Sequence, residues 1–568
     1  MMTKLGSKED NAMKKIIIIL AAIVTVFTMS SCNKDLVEPG NNIPEGKCII
    51  TASTESSLTK TTLSGDDASG YEVVWSEDDS FEIGGNTFSL TDGVNTTSGT
   101  FEGTAPADGT YTVYYPSEYD ATTWPASQTY TAGNISGMPM KASVTVSGGT
   151  VLSSMKFQNE GGILRLTVKN DDSACVKSIT INAAELTSPI TLNCGTAGVT
   201  LTNAGVDFYI AMPSGSTSTT YTNVRIELAT IDGKVCTKTL KSSTGGLVIE
   251  RSKITPASFN TVFATDLSAA ATANTYMISS AGFYGFNATV KGNGGLDPLT
   301  GTTATIINPA DIAGVKVLWE VYAQGRAIKH NGSSYDIKYD GGYIYFNTPD
   351  TFVEGDVCVA IYDNENKILW SWLIWATNDP GTLVHNTKTF MGRNLGAFDI
   401  GNQMRGFLYQ WGRKDAFSAA DGGNKTYTYV PSFDTAFNWV NSVQSISWSI
   451  QNPTTRVLSD KVQSTESWLM ADEYGLKPWR DDVKTIYDPC PPGWRVPSKT
   501  EMDGISGLPD TGFAAGTGFG NPHIGYYWTS TISSDSTHPD YAWAYCNDGR
   551  NMQNWPQGEV YAIRPVRE

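Results

Sequence analysis

Aromatic residues near the end of the chain are the best candidates for binding chemistry. Tyr541, Trp543 and Tyr545 alternate with alanines, and Trp555 follows shortly afterwards. In an extended strand alternate side chains share one face, so the first three rings would lie side by side. Exposed rings can stack on sugars or grip a protein partner, whereas a buried face of this kind is ordinary core packing. The sequence leaves both roles open and gives these four residues as ligand-binding candidates.

Oxygen-bearing side chains follow the same stretch. Asn547 and Asp548 begin the run Asn-Asp-Gly-Arg-Asn between two predicted strands. Ca²⁺ requires six to eight oxygen ligands, which makes these two residues candidates for a calcium site. The run is also typical of an ordinary turn, and the sequence lacks the Glu-Pro-Asn and Gln-Pro-Asp triplets of calcium-dependent sugar binding. We therefore expect a turn, and we predict neither a metal site nor a cofactor.

Cys490 and Cys546 are the two thiols of the last predicted unit. They could form a disulfide bridge, and buried free thiols are an equally open alternative. The other cysteines after Cys32 are widely spaced and form no Cys-x-x-Cys pair. The sequence therefore predicts neither a zinc site nor a dense disulfide scaffold.

Catalytic patterns are missing from the sequence. It contains no Gly-x-Ser-x-Gly, His-Glu-x-x-His or Walker sequence, and its four histidines are scattered. We therefore predict that the protein is not an enzyme and has no catalytic residues. The formal net charge is −17 over 568 residues, which gives no cationic footprint for nucleic acid. Nucleic acid is excluded as a partner on that ground.

The first 31 residues have the features of a signal peptide. Two lysines precede a short apolar run over 16–27, and two serines then precede Cys32. A charged start, a short apolar core and small residues before the cleavage point are the pattern of an exported chain. The Met-Ser-Ser-Cys ending resembles a bacterial lipobox. This resemblance implies a lipid such as palmitate on Cys32, a lipidated tether over 32–46, and anchoring in the outer membrane.

Alternating apolar and polar residues, separated by Gly- and Asp-rich turns, divide the rest of the chain into β-rich units. We predict a first sandwich over 47–150, a second over 151–263, a third over 276–379 and a last unit over 385–568. A small-residue linker over 264–275 would separate the second from the third. The last unit holds nine of the fifteen tryptophans and mixes short helices with strands. The predicted fold class is mainly β and multidomain, with an α+β unit at the end.

Local patterns predict individual elements of these units. The clearest strand candidates are Tyr111–Tyr115, Ile163–Val168, Val317–Tyr322, Val357–Tyr362, Ile368–Trp375 and Tyr541–Cys546. Ser498 followed by Glu501 predicts a capping box that opens a short helix. A second helix is expected over 464–476.

Two motifs carry a resemblance to a known family. The sequence Phe-Gln-Asn-Glu-Gly-Gly at 157–162 runs into a strand candidate, and Val-Val-Trp-Ser-Glu-Asp-Asp-Ser-Phe lies at 73–81. Together with the lipobox, these motifs resemble the fimbrillin-like family of Bacteroidota over about 47–263. The resemblance implies two transthyretin-like β-sandwiches in tandem. It also implies a subunit, or an associated lipoprotein, of type V pili.

In that family a protease removes an N-terminal strand at a basic residue, and a strand of a partner takes its place. The resemblance therefore implies other pilin subunits as partners, joined by strand addition. This chain has no Arg before Arg165, which lies inside a predicted strand, and Lys47 and Lys60 are the plausible nearby sites. The chain also ends in its last unit, which would make it a poor strand donor. We expect a terminal subunit and leave open whether it is cut at Lys47 or Lys60 or stays lipid-anchored.

The last unit carries a sharper set of motifs. They are Met-Gly-Arg-Asn-Leu-Gly at 391–396, Tyr-Gln-Trp-Gly-Arg at 409–413, Asp-Pro-Cys-Pro-Pro-Gly-Trp-Arg-Val-Pro at 488–497, Tyr-Trp-Thr-Ser at 527–530 and Ile-Arg-Pro-Val at 563–566. These motifs resemble the major paralogous (FISUMP) domain family over about 390–567. The resemblance implies a C-type lectin-like α+β fold.

These features together predict a surface lipoprotein that works in adhesion. We expect a minor or tip subunit of a type V pilus, with the last unit as its binding head. Its ligand would be a host or bacterial glycan or a protein. The alternative is a glycan-binding surface lipoprotein that has no connection with pili.

Overall fold

The computed structural model describes residues 47–568 apart from 56–61, 67–69, 118, 120–122, 136, 152–153, 241–244, 304, 333, 398–404, 418–427, 432–436, 459–466 and 516–517. Strands account for 49% of the chain and helices for 4%, which confirms a mainly β fold with several sheets. The predicted signal peptide over 1–31, the tether over 32–46, Cys32 and Lys60 lie outside the described residues and stay predictions. No helix in the described part of the chain has the length and apolar character needed to cross a membrane.

The first region is built around one mixed eight-stranded sheet. The strands are β1 (Lys47–Thr54), β2 (Thr62–Asp66), β3 (Gly70–Val74), β4 (Ser80–Ile83), β5 (Asn86–Asp92), β6 (Ser98–Thr104), β7 (Gly109–Tyr115), β8 (Ser127–Thr129), β9 (Met140–Ser147), β10 (Thr150–Val151) and β11 (Met155–Asn159). The sheet order is β10-β9-β11-β1-β6-β5-β4 with β7 joined to β9, and β2 pairs with β3 separately. Cys48, Ile50 and Ala52 of β1 alternate inward, as the period of a half-buried strand requires, and share a core with Trp75 and Phe157.

The second region packs a three-stranded sheet against part of a larger one. The strands are β12 (Gly161–Lys169), β13 (Cys175–Asn182), β14 (Ile190–Asn193), β15 (Val199–Thr200), β16 (Val206–Pro213), β17 (Ser218–Tyr221), β18 (Arg225–Thr230), β19 (Lys234–Thr239), β20 (Leu247–Glu250) and β21 (Ile254–Asn260). The small sheet has the order β16-β12-β21, so β12 is its middle strand. Leu164 and Leu166 of β12 are buried against Ile179 and Ile226 of the facing sheet. Arg165 lies within β12, where the sequence predicted a strand.

The third region begins inside the segment 264–275 that was predicted to be a linker. Its elements are β22 (Ala264–Asp266), β23 (Thr275–Ile278), β24 (Phe283–Asn287), a 3-10 helix (Pro309–Asp311), β25 (Gly314–Tyr322), β26 (His330–Asn331), β27 (Ser334–Tyr335), β28 (Ile337–Asp340), β29 (Tyr343–Asn347), β30 (Gly355–Tyr362) and β31 (Ile368–Ala376). A ten-stranded sheet has the order β28-β29-β24-β22-β19-β18-β13-β14-β8, with β15 joined to β13. β22 therefore joins the second and third regions through main-chain hydrogen bonds, and the linker expectation is wrong at that strand.

The last region contains short strands and very short helices. Its elements are β32 (Thr382–His385), β33 (Lys388–Met391), β34 (Leu408–Gln410), β35 (Thr428–Val430), β36 (Asn438–Val440), α1 (Ile446–Gln451), β37 (Thr455–Val457), a 3-10 helix (Ala471–Leu476), β38 (Trp494–Arg495), α2 (Lys499–Met502), β39 (Phe513–Ala515), β40 (Gly518–Gly520), β41 (Tyr526–Ile532), β42 (Tyr541–Cys546), β43 (Asn551–Pro556), β44 (Val560–Ala562) and β45 (Val566–Arg567). Its main sheet is β40-β39-β44-β41-β42-β43 with β34 joined to β44, and a second sheet is β32-β33-β45-β38. The capping box at Ser498 is confirmed. The helix expected over 464–476 is a 3-10 helix from Ala471 onwards, and 464–466 lie outside the described residues.

The third and last regions share one hydrophobic core. A single cluster of buried residues extends from Tyr276 to Val566 and includes Trp370, Trp372 and Trp375. β35 of the last region also completes the sheet β23-β31-β30-β25-β35 of the third. The two regions are therefore one packed body, although their sequence patterns differ.

Candidate ligand-binding site

The strands β42 and β43 place the predicted aromatic side chains on two different faces of the main sheet. Tyr541, Trp543 and Tyr545 alternate with buried alanines and share one face, as the sequence predicts. Trp555 lies directly opposite Ala542 in the neighbouring strand β43, so its ring is on the other face. There it packs edge-on against Tyr526 and Tyr561, with ring centroids 6.1 Å apart in both pairs. Of the four candidates, Trp555 is thus separate from the other three.

Only part of the shared aromatic face is open to solvent. Tyr545 is 7% exposed, and its hydroxyl donates a hydrogen bond to the carbonyl oxygen of Ile505 at 2.5 Å. Trp543 is half-buried, with the Lys499 ammonium 3.1 Å from its ring centroid. Tyr541 is also half-buried, and its ring centroid lies 4.7 Å from that of His538. Tyr541 and Trp543 therefore keep exposed ring surface, while Tyr545 belongs to the core.

Asn547 and Asp548 form the turn between β42 and β43. The Asn547 side-chain amide donates to Asp510 Oδ1 at 2.9 Å, and its oxygen accepts from the backbone N–H of Gly525 at 2.6 Å. Asp548 accepts from Arg550 Nε at 2.6 Å. Within the part of the chain that the structure describes, no group of three or more His, Cys, Asp or Glu side chains is placed to hold a metal ion. The oxygens of this run are used to hold the turn and the loop beside it.

An open cleft of about 680 Å³ lies beside the same sheet. One wall is formed by 474–482, and the other by 530–536 with Pro539. The charged and hydroxyl side chains that line it include Lys477, Arg480, Asp481, Asp482, Asp535, Ser530 and Thr531. Clefts of this size that carry a few convergent polar groups are the usual form of small-molecule sites, so the lining favours a polar ligand.

A chain of contacts connects this cleft to Trp543. Asp481 accepts hydrogen bonds from the hydroxyls of Ser530 at 2.5 Å and Thr531 at 2.8 Å. The Thr531 hydroxyl in turn accepts from the backbone N–H of Lys499 at 2.9 Å, and the Lys499 side chain covers the Trp543 ring. Lys499 and Thr531 therefore link the Trp543 ring to a wall of the cleft, although Trp543 itself does not line it.

The carboxylates at the edges of the cleft carry their charge at neutral pH. Arg480 holds Asp482 in a two-point ion pair, with Nε–Oδ1 at 2.8 Å and Nη2–Oδ2 at 2.7 Å, and this lowers the pKa of Asp482. Hydrogen bonds from Thr537 and His538 lower the pKa of Asp535 to about 2. The rim of the cleft is therefore a set of fixed hydrogen-bond acceptors.

Sequence reasoning did not find the cleft walls or the exposed Trp439. The run Lys-Pro-Trp-Arg-Asp-Asp at 477–482 combines charged residues with an aromatic residue, and this pattern could have identified one wall of the cleft. Trp439 lies on the short strand β36 and is 56% exposed. A three-residue strand has too little alternation to show which of its side chains face solvent.

The bridge considered between Cys490 and Cys546 is absent, and both residues are buried free thiols. Burial raises the pKa of Cys546 to about 11 and that of Cys490 well above its ordinary value. Cys490 lies beside Asp488 in the Pro-rich turn, whereas Cys546 lies beside Trp555 at the end of β42. The two thiols occupy different parts of the core. They are buried free thiols, which is the second of the two alternatives that the sequence left open.

No protein-family model matches this sequence. No curated protein matches it either. Among solved structures, the chain is similar to a fimbrial protein from Bacteroides ovatus, at 9% identity and a TM-score of 0.20, over 91% of this chain and 98% of that one.

Two further solved structures are similar to part of the chain. One is described as a "putative cell adhesion protein" from Bacteroides ovatus, at 12% identity and a TM-score of 0.22, over 38% of this chain and 94% of that one. The other is the tip fimbrial protein Mfa3 from Porphyromonas gingivalis with C-terminal truncation, at 12% identity and a TM-score of 0.15, over 36% and 83%. Likenesses at these scores carry no argument about this chain.

Proposed function

We propose that the protein is a surface-anchored adhesion protein, a minor or tip subunit of a pilus, whose last region binds a ligand. The observation that carries this proposal is the open cleft of about 680 Å³ beside Trp543. Carboxylates and hydroxyls in the lining can pair with the hydroxyls of a saccharide. The half-buried ring of Tyr541, two residues after the lining residue Pro539, adds apolar surface. The proposed ligand is therefore a glycan.

The proposed anchor is a lipid on Cys32, which the lipobox supports. It would hold the chain in the outer membrane with the described regions directed outward. Metabolic labelling with a palmitate analogue tests this step. The label is expected on the wild-type protein and absent from Cys32→Ser, and a labelled Cys32→Ser protein would contradict the assignment.

We propose that a strand of a partner pilin subunit takes the place of β1 in the first sheet. This strand lies between β6, with which it is antiparallel, and β11, with which it is parallel. Its removal would open a groove lined by the core that Cys48, Ile50 and Ala52 now fill. A strand of another pilin subunit could take that place by main-chain hydrogen bonding. Cleavage after Lys47 would leave β1 in the chain, so Lys60 is the site that we propose for its release. Because this cut also removes Cys32, the lipid would anchor the chain only until β1 is released.

The second candidate function is a glycan-binding lipoprotein without a pilus. The position of Arg165, the first arginine of the sequence, supports it, because cleavage there would not release a separate N-terminal strand. This arginine pairs with Tyr209 and Pro256 in the middle of the small sheet, so cleavage after it would cut β12. Fractionation of pili from cells that carry the tagged chain separates the two functions. The tip assignment predicts label at pilus ends, label along the shaft would reject it, and label confined to the outer membrane would favour the second candidate.

The binding function is tested with the whole chain on a glycan array. A saccharide that binds the wild type is expected to bind Trp543→Ala and Asp481→Ala about tenfold more weakly, because Asp481 lines the cleft and Trp543 is linked to its wall through Lys499 and Thr531. Trp439→Ala is the matched control, since it removes an exposed tryptophan elsewhere in the same region. Equal loss in all three variants, or unchanged binding in the first two, would show that this cleft is not the ligand site.

A further inference from the structure

A second cleft, of about 550 Å³, lies where the second and third regions meet. The second region contributes Asn223, Arg225, Lys238 and Thr239, and the third contributes the segment 338–342 with Pro309, Ala310, Ile312 and Ala313. It lies in a different part of the molecule from the cleft beside Trp543. Its position at the junction means that a bound ligand would contact both regions.

The lining of this junction cleft is cationic in a strongly acidic chain. Arg225, Lys238 and Lys338 line it with a single carboxylate, that of Asp340, whereas the whole sequence has a formal net charge of −17. Asp340 already accepts a hydrogen bond from the Thr239 hydroxyl at 3.3 Å. The local charge therefore opposes the charge of the molecule, which is the arrangement that concentrates small anions.

The guanidinium of Arg225 is held at the floor of the cleft by a glycine turn. Gly341 and Gly342 have φ values of +54° and +90°, and a Cβ on Gly342 would lie 2.4 Å from Arg225 Nη1. The turn is fixed to the second region because the Thr237 hydroxyl donates to the carbonyl oxygen of Asp340 at 2.7 Å. Arg225 Nε is buried without a hydrogen-bond partner, so hydrogen bonds to an anion in the cleft would come from the Nη groups.

Lys338, from the third region, provides a second positioned cation in the lining. Its ammonium lies 5.4 Å from the ring centroid of Tyr345, a cation–π contact that places the group without using a carboxylate. Tyr345 is itself fixed, because its hydroxyl accepts from the backbone N–H of Thr237 at 2.8 Å. The N–H groups of Lys338 remain available to a ligand.

We propose that the junction cleft binds a small oxyanion, held by Arg225 and Lys338 from opposite regions. The planar fork of Arg matches two oxygens of a sulfate, phosphate or carboxylate group, and Lys adds a point charge. The cleft volume lies within the ~300–1,000 Å³ typical of small-ligand sites. The net negative charge of the molecule repels long polyanions, so the ligand is a single anionic group, free or carried by a small saccharide.

Titration calorimetry of the whole chain at constant ionic strength tests this site. The probes are inorganic sulfate and N-acetylglucosamine 6-sulfate, with neutral N-acetylglucosamine as the reference. We expect both anions to bind and the neutral sugar not to bind at this site. Tighter binding of the sugar sulfate would identify a saccharide as the source of the anion, and equal binding would identify the free ion.

Variants of the two cations complete the test. Arg225→Gln and Lys338→Gln are each expected to weaken anion binding about tenfold, since each removes a charged hydrogen-bond donor. Lys316→Gln is the matched control, because Lys316 also lies over a tyrosine ring, at 4.9 Å from the centroid of Tyr362, but is outside the cleft. Lys338 is exposed, so its variant keeps the test valid if Arg225→Gln does not fold. Absence of anion binding to the wild type, or equal weakening by Lys316→Gln, would overturn the proposal.

Discussion

Glu501 has two structural roles, one in the capping box of α2 and one in an ion pair with Arg495. It closes the capping box with Ser498 at the start of α2, as the sequence predicts. The structure adds that Arg495 holds the same carboxylate in a two-point ion pair, with distances of 2.8 and 2.6 Å. Burial opposes the charged form, but these bonds outweigh it and lower the pKa of Glu501 from 4.5 to about 2.

We expect Glu501→Gln to destabilise the last region in a pH-dependent way. Because the pKa is lower in the folded state, the charge contributes up to ~3 kcal/mol above pH 4.5, and this contribution is lost as the pH falls towards 2. Urea unfolding followed by tryptophan fluorescence at pH 7 and pH 3 measures it. The difference between wild type and variant should shrink by more than half at pH 3. Glu365→Gln, at an exposed ion pair, should show neither effect.

The exposure of individual aromatic side chains could not be predicted from the sequence. Tyr545 and Trp543 follow the same alternation on β42, yet one is 7% exposed and the other is half-buried. The cause is the segment around Ile505, which is distant in sequence and covers one end of the face. Period-2 spacing assigns a side chain to a face, but it does not determine what packs on that face. The candidate site was therefore predicted in part, and its cleft was missed.

The strand β1 is fixed at both ends by ion pairs of different quality. Just after its end, Glu55 accepts two hydrogen bonds from Arg251 of the second region, at 2.7 and 3.0 Å, and the pair is partly buried. At its start, Lys47 pairs with Glu102 on the surface. A partly buried two-point pair contributes more than an exposed single contact, so we expect the Arg251 contact to hold the strand more firmly.

A double-mutant cycle on Glu55 and Arg251 should give a coupling energy of ~1–2 kcal/mol. The measurement is amide hydrogen exchange of 47–54, which reports the local opening of β1. Each single alanine variant should speed exchange by about tenfold, and the double variant should add little. The cycle on Lys47 and Glu102 is the control and should give less than ~0.5 kcal/mol. Equal coupling in both cycles would mean that the Arg251 pair does not retain the strand.

Long strands were predictable and short ones were not. The candidates at 163–168, 317–322 and 357–362 lie within β12, β25 and β30, because runs of eight or nine residues rich in apolar and β-branched side chains indicate a strand. β22 has three residues, Ala-Thr-Asp, and reads as a small-residue linker. It is a strand because it pairs with β19 and β24. The three residues of β22 give no sign of these pairings.

At the level of the whole molecule, the third and last regions are joined by buried polar contacts as well as by a common core. Asn274 is 2% exposed and donates from Nδ2 to the carbonyl oxygens of Ile486 at 2.7 Å and Asp488 at 2.8 Å. Its Oδ1 accepts from the indole N–H of Trp370 at 2.9 Å. One amide thus satisfies three buried groups that come from both regions. A chain of independent beads would have no such contact.

Asn274→Ala is expected to destabilise both regions together, by ~3 kcal/mol, since it leaves two carbonyls and one indole N–H buried without this partner. Hydrogen exchange read separately on β31 and β41 should show the same loss of protection in both strands, because a shared core opens as one cooperative unit. Asn347→Ala is the control, as its side-chain amide donates to Asp336 within the third region, at 3.0 Å, and its effect should stay there. Loss of protection in β41 alone would mean that the last region folds independently. The last region would then move independently of the third. The cleft beside Trp543 would have no fixed orientation relative to the proposed anion site at the junction.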